Sequence, residues 1–146
     1  MAMEPCLRLS ENPVPRNACC ARLEEFRRDL ALCARLERLA DLLPELPDAL
    51  WMQQTLDTLH DAAARWVDGS VTIPGLDGRD ASRRLFDSAQ AEDVADELAR
   101  YWLAPEAARV GQLSYMLRAL FEGRMRAMTI ERLCLGCAQC TYSATS

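Results

Sequence analysis

The sequence contains no lysine, and its single histidine is His60. All 17 of the other basic side chains are arginines. The absence of lysine excludes mechanisms that use a Schiff-base lysine, a catalytic lysine or the phosphate-binding lysine of a P-loop. One histidine cannot complete the two Glu-x-x-His motifs of a di-iron carboxylate bundle. We interpret His60 as a partly covered residue beside an apolar row, with a general base or metal ligand as the alternative.

Aromatic residues and glycine are also scarce. Aromatic side chains make up 6% of the 146 residues, and six residues are glycines. Alanine, leucine and arginine dominate instead, and these residues favour helices over strands. Half of the residues are hydrophobic, which suffices for the core of one domain of this length. The composition therefore predicts a single, mostly helical domain.

Long apolar runs are missing as well. No segment approaches the ~18 consecutive apolar residues of a membrane-spanning helix, so we expect no membrane span. Glu4 and Pro5 interrupt the first residues, so we expect no secretory signal. Seven cysteines without an export signal indicate a reducing compartment, and we expect a cytoplasmic protein. The formal net charge of -5 predicts no general affinity for nucleic acid.

Four segments carry the spacing of apolar residues by three and four that is typical of helices. The clearest of them follows Asp48, which is a good N-cap residue. Its apolar row consists of Met52, Leu56, Leu59, Ala63 and Trp66. We predict helices at about 18–43, 49–67, 81–103 and 105–133.

The third helix is predicted either to be continuous or to divide into two pieces, with Leu85 and Phe86 anchoring its first part and Ser88 capping the second piece. The predicted fold is therefore an all-α, antiparallel bundle of four to five helices. Three glycines and a proline predict one long loop at about 68–80. The predicted organisation is an irregular arm at 1–16, a helical domain at 17–135 and a flexible, cysteine-containing tail at 136–146.

Three cysteines near the C-terminus, Cys134, Cys137 and Cys140, have the spacing of metal ligands. The C-x2-C-x2-C pattern matches the first three ligands of a bacterial ferredoxin run, but Ala144 occupies the position of the fourth. A zinc site or an iron–sulfur cluster would therefore need one more ligand from elsewhere in the chain. The candidates for that ligand are Cys19, Cys20 and Cys33.

The same cysteines have simpler interpretations. They form one apolar row if the last helix continues through Cys140, since cysteine packs as a small hydrophobic residue. Gly136 favours an end to the helix instead, which places Cys137 in a flexible coil. Metal binding, redox chemistry and no special chemistry all stay open as alternatives.

An acidic patch on the third predicted helix indicates another type of chemistry. The patch consists of Glu92, Asp93, Asp96 and Glu97. Carboxylates spaced by four residues can bind Mg²⁺, as in some all-α nucleotide hydrolases. Such a site needs a second acidic pair on a facing helix, for which Glu24 and Glu25 are the candidates. Near the start of a helix, the same negative charges also stabilise the helix dipole.

The leading functional hypothesis is a non-enzymatic protein–protein interaction module, such as a small regulator, chaperone or inhibitor. The partner is another protein or a second copy of the chain in a homodimer. Arginines outnumber acidic residues from Glu106 onward, and methionines offer adaptable apolar surface there, although core packing is their alternative role. The candidate contact residues are Arg124, Met125, Arg126 and Met128.

Two alternative functions follow from the candidate chemistry. The first is a zinc or iron–sulfur sensor that uses the three C-terminal cysteines, and the second is an all-α nucleotide hydrolase that uses the acidic patch. The leading hypothesis requires no cofactor, whereas the sensor requires zinc or an iron–sulfur cluster.

Overall fold

The computed structural model describes residues 16–68 and 77–143, with side chains described for 21–68 and 81–134. Within these ranges the backbone forms four α-helices and no β-strand, so the all-α prediction is confirmed. The helices are α1 (Arg16–Leu42), α2 (Ala49–Asp68), α3 (Asp77–Leu103) and α4 (Ala107–Ser143). Residues 1–15 of the predicted arm and residues 69–76 of the predicted loop lie outside the described part of the chain.

Contacts between neighbouring helices show that these helices run antiparallel. On α1 and α4, the Arg22 guanidinium lies 3.5 Å from the Glu131 carboxylate, and the Cys33 thiol donates to the Phe121 carbonyl at 3.7 Å. Residue numbers therefore fall along α4 as they rise along α1. α1 also packs on α2, and α3 packs on α2 and α4. The predicted antiparallel bundle is confirmed, with α1 and α3 at opposite corners.

The end of the bundle that holds the α1–α2 and α3–α4 connections is called the connection end. There, Asp48 caps α2, because its Oδ1 accepts a hydrogen bond from the Trp51 backbone N–H at 2.9 Å. Tyr101 of α3 reaches the α1–α2 connection, where its hydroxyl donates to the Pro44 carbonyl at 2.6 Å. The predicted cap at Asp48 is thus confirmed, and a side chain from α3 fixes the adjoining connection.

Apolar side chains fill the core toward the connection end. The predicted row on α2 is buried along its whole length, and Met52 and Leu59 have no exposed area. α4 contributes Leu113, Leu117 and Leu120, which are also fully buried. The opposite end, where α1 begins and α4 ends, is called the terminal end. Its core contains charged side chains beside apolar ones such as Phe26, Trp66 and Met128.

α3 is one continuous helix, so the predicted alternative of two pieces is wrong. The hydroxyl of Ser88 does not cap a second piece but donates to a backbone carbonyl of α2 at 2.8 Å. Leu85 and Phe86 are 58% and 59% exposed, so the prediction that they anchor the core is wrong. Arg84 and Asp87 occupy the inward positions, because the core of the terminal end is ionic.

α4 is longer than predicted. Its backbone stays helical to Ser143, so the prediction that the helix ends near Gly136 is wrong. A glycine inside a helix costs only about 1 kcal/mol relative to alanine, which neighbouring helical residues can offset. In the parts of the chain that the structure describes, no helix combines the length and apolar character that crossing a membrane requires.

Candidate functional site

α1 and α4 enclose a groove on the outer surface of the bundle, here called the α1/α4 groove. Its volume is about 370 Å³. Four residues of each helix line it. They are Leu30, Cys33, Ala34 and Glu37 of α1, and Phe121, Glu122, Met125 and Arg126 of α4. The α1 set is spaced by three and four residues, and the α4 set contains two adjacent pairs four residues apart. Each set therefore forms one strip along its helix.

The floor of the groove is apolar. Phe121 and Cys33 are 7% and 5% exposed, and they are joined by the hydrogen bond from the Cys33 thiol to the Phe121 carbonyl. Burial raises the pKa of the Cys33 thiol to about 12. The thiol is therefore neutral near pH 7, and it presents an apolar surface rather than a nucleophile.

The walls of the groove expose large apolar side chains to solvent. Leu30 of α1 is 37% exposed, and Met125 of α4 is 43% exposed. The two residues lie on facing strips, one on each wall of the groove. Methionine is flexible and can adapt to partners of different shape.

Charged side chains stand at the two ends of the groove. Because α1 and α4 are antiparallel and Cys33 contacts Phe121, Glu37 lies on the connection side of this contact, whereas Glu122 and Arg126 lie on its terminal side. All three side chains are exposed. Beyond the acidic residues, Arg118 donates to Asp41 at 2.8 Å and joins α4 to α1. The groove thus has an apolar floor, with Glu37 toward the connection end, Arg126 toward the terminal end and Glu122 between them.

Behind this groove, the core of the terminal end holds a set of buried charges, here called the ionic cluster. It combines four arginines with four carboxylates, so its formal charge is balanced. The members are Arg22, Glu25, Asp29, Arg65, Arg84, Asp87, Arg124 and Glu131. All four helices contribute to it.

Arg124 of α4 is the centre of the ionic cluster and is 1% exposed. Its guanidinium lies 2.9 Å from Asp87, 3.1 Å from Glu131 and 3.4 Å from Asp29. It also lies over the Trp66 ring, 4.8 Å from the ring centroid. Burial alone would lower the pKa of Arg124, but these carboxylates raise it, so the side chain stays charged. Its contacts hold α4 in place beside the groove.

The ionic cluster was not predicted, although the sequence contains a signal for it. On α4, Arg124 and Glu131 follow the core residue Leu117 at intervals of seven, which places them on the same face of the helix. Charged residues at such positions must be paired if they are buried. The signal was missed because the apolar pattern alone was used to find the inward face.

The structure divides the predicted partner-binding residues into two groups. Met125 and Arg126 line the α1/α4 groove, and their role in partner binding stays a prediction. Arg124 and Met128 are 1% and 2% exposed, so the folded chain does not present them to a partner. This corrects their selection as contact residues. Arg124 belongs to the ionic cluster, and Met128 packs in the core.

Of the three predicted metal ligands, only Cys134 has a described side chain, and that side chain is buried. The side chains of Cys137 and Cys140, and those of Cys19 and Cys20, lie outside the described residues. Among the side chains that are described, no group of three or more histidine, cysteine, aspartate or glutamate residues is arranged to hold a metal ion. The zinc or iron–sulfur site therefore stays a prediction.

The structure does not bring the two predicted acidic pairs together. Glu92 lies 3.1 Å from Nδ1 of His60, and Glu97 accepts a hydrogen bond from Arg109 at 3.2 Å. Glu24 forms an ion pair with Arg27 on its own helix. Glu25 belongs to the ionic cluster, where it pairs with Arg84 rather than with an acid of the patch. The arrangement needed for a magnesium site is not formed by these residues.

The α1/α4 groove is interpreted from geometry alone. Comparisons of the chain with protein-family models, with curated proteins and with solved structures found no match. Sequence analysis identified one wall of the groove, through Met125 and Arg126, but it did not identify the α1 wall. Only the pairing of α1 with α4 shows that Leu30 and Glu37 share a surface with them.

Proposed function

We propose that this chain is a non-enzymatic protein-binding module, and that its α1/α4 groove receives a helix of a partner protein. The observation that carries this proposal is the pair of exposed apolar side chains, Leu30 and Met125, above a closed apolar floor. A regulator, chaperone or inhibitor would act by covering such a helix.

The dimensions of the groove suit the anchor side chains of a helix. Its volume of about 370 Å³ is at the lower end of the roughly 300–1,000 Å³ typical of ligand pockets, so it accommodates a few side chains rather than a large cofactor. An amphipathic helix places such anchors on one face, at intervals of three and four residues. The lining of the groove extends over at most about two turns of each helix, which is room for two such anchors.

The ionic cluster supports the proposal because it fixes the position of α4. Arg124 links α4 to carboxylates of α1 and α3, and these contacts are buried. A groove whose walls are held in place before binding loses less conformational entropy when the partner docks. We therefore expect the groove to be formed in the absence of a partner.

The test uses a fluorescently labelled synthetic peptide, an amphipathic helix of about 16 residues with a leucine row. We expect Leu30→Ala together with Met125→Ala to weaken its binding by about tenfold or more, which corresponds to about 1.4 kcal/mol. The control is Leu50→Ala together with Leu103→Ala, since these residues are 69% and 86% exposed and lie outside the groove lining. Equal binding to both double variants would contradict the proposal.

A further inference from the structure

We infer that two copies of this chain associate through one face of α4, with the two α4 helices side by side and antiparallel. This face, here called the outer face, points away from the bundle, whereas the α1/α4 groove opens between α4 and α1. The inference therefore goes beyond the proposed function, and it names a second copy of the chain as the occupant of the outer face.

One row of α4 residues forms the outer face. They are spaced alternately by four and three positions, so they lie on one side of the helix. The row consists of Tyr115, Ala119, Glu122, Arg126, Thr129 and Leu133. All are exposed except the half-buried Ala119, whereas Leu117 and Arg124 on the opposite side of the helix are buried.

The two ends of the outer face are apolar. Tyr115 and Leu133 are 74% and 55% exposed. They are separated by 18 positions, which corresponds to about 27 Å along the helix. A second helix that lies along this face would remove both side chains from water, and such burial favours association.

The centre of the outer face is charged. Glu122 and Arg126 are one helical turn apart, and among the described side chains neither forms an ion pair. Arg118 of the same helix, in contrast, is engaged with Asp41 at 2.8 Å. The two central charges are therefore available to a partner.

The order of the residues makes the outer face complementary to itself. In an antiparallel pair related by a two-fold axis, residues at equal distances on either side of the axis face each other. With the axis at position 124, Glu122 faces Arg126 of the second copy, and Arg126 faces Glu122 in return. Tyr115 then faces Leu133 of the second copy, and the two smaller residues of the row face each other.

The same charges exclude a parallel pair. In register, parallel helices would place Glu122 against Glu122 and Arg126 against Arg126, and like charges at short distance repel each other. Exposed ion pairs contribute little affinity, so the charges select the arrangement while the apolar ends drive association. Because each copy contributes one helix, the interface is small, and we expect a dissociation constant on the order of 10–100 μM.

The experiment is sedimentation equilibrium of the chain alone, from about 1 μM to about 1 mM. Glu122→Arg and Arg126→Glu should each raise the dissociation constant of the dimer about tenfold or more, because each variant brings like charges together. A mixture of these two variants should form the dimer again, since each supplies the charges that the other lacks. The matched control, Asp96→Arg, reverses an exposed acid of α3 and should leave the dissociation constant unchanged.

The outcomes separate this inference from the proposed function, which is tested by peptide binding to the groove. A monomer throughout the concentration range would overturn the inference, and so would mixed variants that do not associate. A dimer that Leu30→Glu dissociates and Tyr115→Glu leaves intact would place the second copy in the groove and would also overturn it. Leu30 belongs to the groove alone and Tyr115 to the outer face alone, so these two variants distinguish the surfaces.

Discussion

At the scale of single residues, the most constrained side chain is the Arg124 guanidinium. It is surrounded by Asp29, Asp87 and Glu131 in a part of the core that excludes solvent. A buried ion pair contributes little net stability when it is intact, because desolvation offsets the attraction between the charges. Removal of one partner is costly, because the remaining charges stay buried without compensation.

Arg124→Ala should therefore lower the free energy of unfolding by about 3–5 kcal/mol. The measurement is chemical denaturation followed by circular dichroism. Arg126→Ala is the matched control, since Arg126 is exposed on the same helix, and its effect should stay within about 0.5 kcal/mol. A loss below about 1 kcal/mol for Arg124→Ala would show that the ionic cluster does not depend on this arginine.

Glu25 makes the stability of the folded chain depend on pH. Burial raises the pKa of Glu25 in the folded chain, where it faces Arg22, Arg65 and Arg84 together with the acidic residues Asp29 and Glu131. The unfolded value is about 4.3. The folded state binds more protons between these two values, so the stabilising contribution is complete below the unfolded pKa and is lost as pH rises through the folded pKa.

The wild-type chain should thus lose stability relative to Glu25→Gln as the pH is raised from about 4.3 toward neutrality. Unfolding free energies of both proteins, measured at a series of pH values, test this sign. The predicted sign would be contradicted if the two unfolding free energies differed by the same amount at every pH. It would also be contradicted if the wild type became the more stable protein as the pH rose.

Cys33 should react slowly with thiol reagents in the native chain. Its pKa is raised to about 12 by burial, and it is 5% exposed, so little thiolate is present and access is limited. We expect alkylation at Cys33, located by mass spectrometry after digestion, to accelerate strongly in denaturant. Labelling at the same rate with and without denaturant would mean that the floor of the groove is open to solvent.

At the scale of helices, the spacing of apolar residues was a reliable guide where the core is apolar. It predicted α2 and its buried row correctly, because every inward position there except Thr55 is hydrophobic. It failed at the start of α3, where Arg84 and Asp87 face inward and Leu85 and Phe86 face solvent. Apolar periodicity cannot identify the inward face of a helix whose inward side chains are charged.

Only part of the candidate site was predicted, because the groove lies between two helices. Met125 and Arg126 were selected from the composition of one helix, and both line the groove. Leu30 and Glu37 were not selected, because a groove between two helices depends on which helices pair and in what register. Those are properties of the folded chain, and the sequence pattern of one helix does not contain them.

Two of the glycines of α4, Gly111 and Gly123, differ in their surroundings, and this difference gives a prediction about the helix. A methyl group added at Gly111 would meet no atom within 4 Å, whereas one at Gly123 would meet the Arg83 guanidinium. Gly111→Ala should therefore stabilise the chain by about 0.5–1 kcal/mol, the gain in helix propensity.

Gly123→Ala should stabilise the chain by less than Gly111→Ala does. The added methyl group would displace the Arg83 guanidinium, which forms an ion pair with Asp87 at 3.0 Å. Thermal or chemical denaturation of the two variants measures the difference. A larger gain at Gly123 than at Gly111 would contradict this account of α4.

At the scale of the whole molecule, the bundle divides into an apolar connection end and an ionic terminal end. The apolar end stabilises the fold through burial of hydrophobic area. The ionic cluster connects all four helices through directional contacts, which favour one arrangement of α4 beside α1. This arrangement forms the α1/α4 groove, and the groove is where we propose that the chain binds its partner.

The most direct test of this proposal is to map the binding surface by NMR while the amphipathic peptide with the leucine row is added. The account predicts that the largest shifts lie at the eight groove residues, with Leu30, Cys33, Phe121 and Met125 among them. It also predicts small shifts at the exposed residues Leu50 and Leu103, which lie outside the groove. Shifts centred on Leu50 and Leu103, with the groove residues unchanged at saturation, would contradict the account.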